Sequence, residues 1–185
     1  MHGSGAVVAF DGRLDNRGEL LDVLGPSPGL SSDAPDAAFV LAAYTRFGRA
    51  LPERLLGDFA LALFDPARQE LLLARDPMGI RPLHYWRSPG TFLFASTIKS
   101  LLAHPLVPVR PDDAVVARFI TGHVSDDGRS HTFFHGVSTL PPAHVAIISP
   151  QQFVTRQFWD FDLGQQLRLR GPGEYADAFR HYFDQ

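Results

Sequence analysis

The stretch from Leu55 to Trp86, LLGDFALALFDPARQELLLARDPMGIRPLHYW, constrains the fold most, because hydrophobic pattern, turn chemistry and charge placement agree along it. From Phe59 to Phe64 the large Phe59, Leu61 and Leu63 alternate with the small Ala60 and Ala62, the two-residue period of a strand with one well-filled face. Asp65-Pro66-Ala67-Arg68 supplies a turn, Pro66 with its φ pre-set and Asp65 able to bond its own main chain. A second run, Glu70 to Ala74, follows at hairpin distance and is nearly all apolar, so both of its faces should be covered. Such a sheet needs one layer above it and one below. The loop 75–82 then gathers Arg75, Asp76 and Arg81 around Gly79, a pattern that predicts a buried ion pair and a tight turn between strands.

A chain of 185 residues with 45% hydrophobic content is long enough for one domain, or one domain with an appendage, and for a sizeable core. Its net charge of −3, with the cations scattered, presents no basic face and argues against nucleic acid or an anionic membrane as partner. No apolar run reaches the length of a membrane span and no signal peptide opens the chain, so the cytoplasm is the expected compartment. Cysteine is absent, which excludes disulfides, thiolate zinc sites and a cysteine nucleophile within these residues.

Around the central hairpin, the pattern predicts a strand over Ala6–Phe10 closed by an Asp11-Gly12 turn, then a helix capped by Asn16 with Glu19 completing a capping box, ended by Gly25. Asp36 reads as the cap of a second helix that buries Phe39, Val40, Ala43, Tyr44 and Phe47. Beyond the hairpin come a second hairpin about Ser88-Pro89-Gly90, a short helix capped by Ser96, and a helix from Asp112 or Asp113 with Val115, Val116, Phe119 and Ile120 inward. The segment 133–142 reads as irregular, and 143–148 with 153–158 as a last hairpin. Residues 163–173 read as a linker, and 174–185 as the start of an amphipathic helix whose apolar face needs a covering partner or further chain.

ARDPMGIRPLHY resembles the arginine-aspartate loop of class II glutamine amidotransferase domains. Together with FDGRLDNRGELL, PDAAFVLAAYTRFG, FASTIKSLLAHP and HTFFHGVSTLPPAH, in order, residues 1–162 resemble the amidotransferase-like domain of the asparagine synthetase family. FDGRLDNRGELL is similar to the branch that forms amides without hydrolysing glutamine, the β-lactam synthetases and lasso peptide cyclases. The resemblance implies an α+β fold, an Ntn-hydrolase-like αββα sandwich of antiparallel sheets, here incomplete at its N-terminus. It also implies a structural role for Arg75, Asp76, Gly79 and Arg81.

Working domains of this family use a processed N-terminal cysteine whose α-amino group acts as its base. Their oxyanion hole comes from the asparagine side chain and following glycine amide of an FNGE-like turn. This chain has Phe10-Asp11-Gly12-Arg13 there, with only ten residues ahead of Asp11. Gly12 keeps the amide donor, whereas an ionised Asp11 offers an acceptor and repels an oxyanion. Arg13 replaces a glutamate that helps hold the glutamine ammonium, and would repel it. Asp36 matches the aspartate that grips the substrate α-amino group.

The resemblance therefore implies a degenerate glutamine pocket of Asp11, Gly12, Arg13 and Asp36, with no catalytic residue. The domain would serve as a scaffold for a C-terminal synthetase domain that uses ATP and magnesium, whose SGGxDS loop does not occur in these 185 residues. No cofactor is expected on the fragment itself. Two rival readings are a stand-alone interaction module and a fragment of a glutamine-hydrolysing asparagine synthetase. Unpaired sheet edges would invite homo-oligomeric association. His131 and His135 at four-residue spacing, near His123 and His144, read as surface or packing histidines, so no metal site is expected.

Overall fold

A computed structural model describes residues 5–25, 29–122, 130–164 and 166–184. Strands β1 (Val7–Leu14), β2 (Gly57–Asp65), β3 (Glu70–Arg75), β4 (His84–Ser88), β5 (Thr91–Ala95), β6 (Val137–Thr139), β7 (His144–Ser149) and β8 (Gln152–Gln157) form two antiparallel sheets. The larger has the order β1-β2-β3-β7-β8 and the smaller β5-β4-β6. Helices α1 (Arg17–Leu24) and α2 (Asp36–Phe47) and a 3-10 turn over Gly48–Arg54 connect β1 to β2. Helices α3 (Ile98–Leu102) and α4 (Asp113–Ile120) lie between β5 and β6, and α5 (Pro172–Phe183) follows β8. None of the described helices is long and apolar enough to cross a membrane.

The alternation in β2 decides which layer each face meets. Phe59, Leu61 and Leu63 sit in a buried cluster with Phe39, Val40, Ala43 and Leu51 of the helical layer. Ala60 and Ala62 point the other way and pack with Leu83 and Leu140 against the smaller sheet. The apolar β3 is buried on both faces as its composition predicts, Leu72 and Ala74 toward the helices and Leu73 toward the second sheet. A third cluster, Trp86, Leu101, Val107 and Val137, covers the outer face of the smaller sheet with α3. The layers therefore run helix, sheet, sheet, helix, the predicted arrangement.

Several local expectations give way to tertiary pairing. Asp11-Gly12 does not end the first strand: β1 continues through Asp11 opposite Ala60, Gly12 opposite Phe59 and Leu14 opposite Gly57. Gly12 holds φ at +152°, and a Cβ there would lie 2.0 Å from the Asp58 carbonyl oxygen, so glycine serves close strand contact rather than chain reversal. Asn16 stands at the α1 N-cap but makes no capping bond. Its carboxamide instead accepts from the Leu56 amide and donates to the Arg54 carbonyl, each at 3.0 Å, because the chain entering β2 passes beside it. Pro35 holds the N-cap position of α2, with Asp36 the first helical residue. Thr97, not Ser96, caps α3.

The segment expected to be irregular contains β6, whose three residues pair with His84–Trp86. On α4, Val115 and Val116 are half-buried while Phe119 and Ile120 are 68% and 76% exposed. Periodicity establishes which residues share a helix face, not that a layer covers it.

Candidate functional site

The loop after β3 is built from Arg75 and Asp76, each bonded to main chain. Arg75 crosses the loop with Nε donating to the Arg81 carbonyl at 2.7 Å, Nη1 to Leu140 at 2.9 Å and Nη2 to Gly79 at 2.5 Å. Asp76 is 1% exposed, and its carboxylate accepts from the amides of Met78, Ile80 and Arg81, all at 3.0 Å. The predicted ion pair between these neighbours is therefore replaced by two fans of main-chain bonds. A planar guanidinium and a carboxylate with four lone-pair sites satisfy loop carbonyls and amides that burial would leave unpaired. Gly79 completes the turn at φ +68°, where a Cβ would come within 2.7 Å of Pro142. Burial pulls the Arg75 guanidinium below its ordinary pKa and also lowers that of His84, with the Arg75 charge a further cause for His84.

This loop carries Arg81 to β1. The Arg81 Nη1 lies 3.5 Å from Asp11 Oδ1, and the Ser96 hydroxyl reaches Asp11 Oδ2 at 3.5 Å. Asp11 is thus ringed by two donors and stands at a cleft of about 170 Å³ between the sheets, lined by Ala9, Ala60 and Ala62 with Leu83 and Phe94. The small residues on this face of β1 and β2 leave the space that their bulky neighbours on the opposite face fill. Sequence reasoning placed Arg81 in the structural loop and Ser96 at a helix cap. Their approach to Asp11 spans 70 and 85 positions and leaves no local signal.

Arg13 lies on the same strand face but turns to Asp15, Nε to Oδ1 at 2.7 Å, with its side chain 70% exposed. Its hydrogen bond to Asp15 and the charge of that carboxylate hold the guanidinium above its ordinary pKa. Asp36 does not join Asp11. It accepts from the Leu14 amide at 3.1 Å on the helical side of β1 and faces the Arg17 Nε at 3.5 Å. Arg17 is held there by the carbonyls of Ser32 and Ala34 and by the Phe39 ring, 4.9 Å from its guanidinium carbon. The four residues of the predicted pocket therefore divide into Asp11 with Arg81, Arg13 with Asp15, and Asp36 with Arg17, while Gly12 shapes the strand.

Among the described residues, no three histidine, aspartate or glutamate side chains converge as a metal-binding group. His123 lies outside the described residues.

Two stacked antiparallel sheets between helical layers, with an arginine-aspartate loop after β3, fit the architecture of a class II amidotransferase domain. The chain belongs to the family described as "Glutamine amidotransferase domain", which matches residues 2–159.

Its relatives include the glutamine-hydrolyzing asparagine synthetase 3 of Bacillus subtilis (strain 168), 28% identical over 156 residues, which cover 84% of this chain and 25% of the relative. Amidase chyE of Penicillium rubens is 33% identical over 136 residues, covering 71% of this chain and 19% of the relative. The chain thus spans a quarter or less of the length of these two relatives. The Ntn-hydrolase fold is shared with the glutamine phosphoribosylpyrophosphate amidotransferase of B. subtilis complexed with ADP and GMP. That match has a TM-score of 0.53 and 18% identity, and covers 83% of this chain and 29% of the other.

Proposed function

We propose that this chain is the amidotransferase-like portion of an ATP-dependent enzyme that forms amide or isopeptide bonds, and that it acts there as a non-catalytic scaffold. One observation carries the reading: the Asp11 carboxylate, which by the resemblance stands for the family's donating asparagine, is engaged by Arg81 and Ser96. A carboxylate beside a developing oxyanion raises the barrier that an oxyanion hole lowers. The Arg17–Asp36 pair supports the same reading, because the carboxylate that the resemblance implies for gripping a substrate ammonium already faces a guanidinium. Arg13, exposed and cationic, adds no anion to such a site.

In this reading the partner is a synthetase domain, which would hold ATP and magnesium. The SGGxDS loop of such a domain does not occur in the 185 residues, so in this reading ATP and magnesium bind the partner domain. The cytoplasm is the proposed location, and the resemblance of FDGRLDNRGELL to the glutamine-independent branch makes β-lactam synthetases and lasso peptide cyclases the proposed functional analogues.

The reading is tested by incubating the 185-residue chain with glutamine and measuring ammonia, alongside calorimetry for glutamine binding. No ammonia above the buffer blank and no saturable heat are expected. Turnover, or binding abolished by Arg13→Glu, would overturn it. In the longer protein, ATP-dependent amide formation from a supplied amine should be indifferent to glutamine.

A further inference from the structure

At the other end of the space between the sheets, three hairpin turns surround a cleft of about 730 Å³, reached by Gln69, Gly90 and Pro150 among others. Its volume falls within the range of small-molecule sites, roughly 300–1,000 Å³. One wall is aromatic. Phe92 of β5 and Phe153 of β8 line it, with ring centroids 5.9 Å apart, and Tyr85 of β4 closes the group at 5.7 Å from Phe92 and 5.4 Å from Phe153. Phe153 belongs to the larger sheet and the other two rings to the smaller, so this cluster joins the sheets at the cleft.

Among the described residues, Arg87 is the only formally charged one lining the cleft. Its guanidinium carbon lies 4.6 Å from the Phe153 ring centroid, and it has no carboxylate partner among the described residues. Register explains the placement: Arg87 is opposite Phe92 in the β4–β5 ladder, so both side chains emerge on the face turned toward β8. A guanidinium held over a ring face by its carbon leaves N–H donors for other partners, and its forked donors match a carboxylate in bidentate geometry. The remaining polar lining is neutral, including Gln69, Thr91 and Gln152, so an entering anion meets no like charge.

We propose that this cleft is a binding site for a small aryl or similarly flat apolar carboxylate, its body against Phe92 and Phe153 and its carboxylate on Arg87. The inference is independent of the scaffold reading, since the cleft shares no residue with the cleft at Asp11.

The test uses 2-naphthoate and its neutral isostere 2-naphthamide, titrated into the 185-residue chain and followed by fluorescence and by NMR of the phenylalanine rings. The expected result is at least tenfold tighter binding of the acid, with shifts at Phe92 and Phe153. Arg87→Gln, an exposed hairpin substitution, should bring the two ligands to equal affinity, and Phe153→Leu should weaken both. The tripeptide Gly-Gly-Phe carries the same pair of groups at a peptide C-terminus; tighter binding of 2-naphthoate supports a free acid as ligand. Equal affinity of acid and amide for the unaltered chain would overturn the proposal. So would indifference to Arg87→Gln, shifts confined to other aromatic rings, or stronger binding of the tripeptide.

Discussion

The Tyr44 hydroxyl donates a 2.8 Å hydrogen bond to Oδ2 of Asp65, tying helix α2 to the end of β2 in a buried contact. The other oxygen of Asp65 accepts from the amides of Ala67 at 2.9 Å and Arg68 at 3.3 Å. One carboxylate thus organises the hairpin turn and anchors it to the helical layer. Tyr44→Phe leaves that carboxylate short of a donor, and a loss of about 1–3 kcal/mol is expected. Urea unfolding would show it as a lower midpoint at unchanged slope.

The same contact predicts an alkaline limit to stability. Burial, followed by the hydrogen bond to Asp65, raises the Tyr44 phenol to about 12. The unfolded phenol titrates near 10, so its contribution is full below about pH 10 and is lost as the pH rises toward about 12. Burial pushes the Asp65 carboxyl up, but the Tyr44 hydroxyl, the Arg68 and Ala67 amides and the Arg68 charge together hold it below its ordinary range. Its contribution is present above the unfolded value of about 3.9 and falls away as the pH drops through the lower folded value. Denaturant midpoints measured against pH should show both flanks. Tyr44→Phe should flatten the alkaline one, and an unchanged alkaline flank in that variant would contradict the assignment.

Gly12→Ala places a methyl group 2.0 Å from the Asp58 carbonyl oxygen at φ +152°. Neither the oxygen nor its strand can yield without opening the β1–β2 ladder. A loss of about 3 kcal/mol or more is expected, measured as a fall in thermal midpoint. Alanine at Gly18, where nothing lies within 4 Å of the added carbon, is the control and should change little.

Asp76→Ala strips the acceptor from three loop amides at once and is expected to cost about 3 kcal/mol or more. Asp76→Asn keeps one acceptor oxygen and should fall between. Hydrogen exchange at Met78, Ile80 and Arg81 would report the loop directly, with protection lost in both variants and more completely in the alanine one.

Asp11→Asn supplies the side chain that the resemblance implies for this turn, without supplying a thiol. Ammonia release from glutamine should stay at the blank, and stability should change by no more than about 1 kcal/mol, as befits a half-exposed ion pair.

The layered architecture was legible because it rests on short-range rules. Alternation in Phe59–Phe64 assigned one face to bulk and the other to alanine, and both clusters formed as that pattern requires. The two-sided hydrophobicity of Leu71–Ala74 announced a covered sheet, and the proline and glycine turns located the hairpins. Where the same rules ran into tertiary contact they failed. Asp11-Gly12 has turn chemistry, yet it lies inside a ladder because β2 pairs with it along its whole length. Asn16 is a good cap, yet the chain at Arg54 and Leu56 supplies partners that out-compete the helix amides.

What the sequence determined by itself was the central hairpin with its two faces, the doubly covered β3 and the absence of a thiol within these residues, since each is written in neighbours a few positions apart or in composition. Only the tertiary structure decided which charges meet. It set Arg81 and Ser96 on Asp11, and Arg17 between Asp36 and the core, and it stacked Arg87 on Phe153. Those pairings join residues 19 to 85 positions apart, where side-chain reach is set by how sheets and helices pack rather than by any local period.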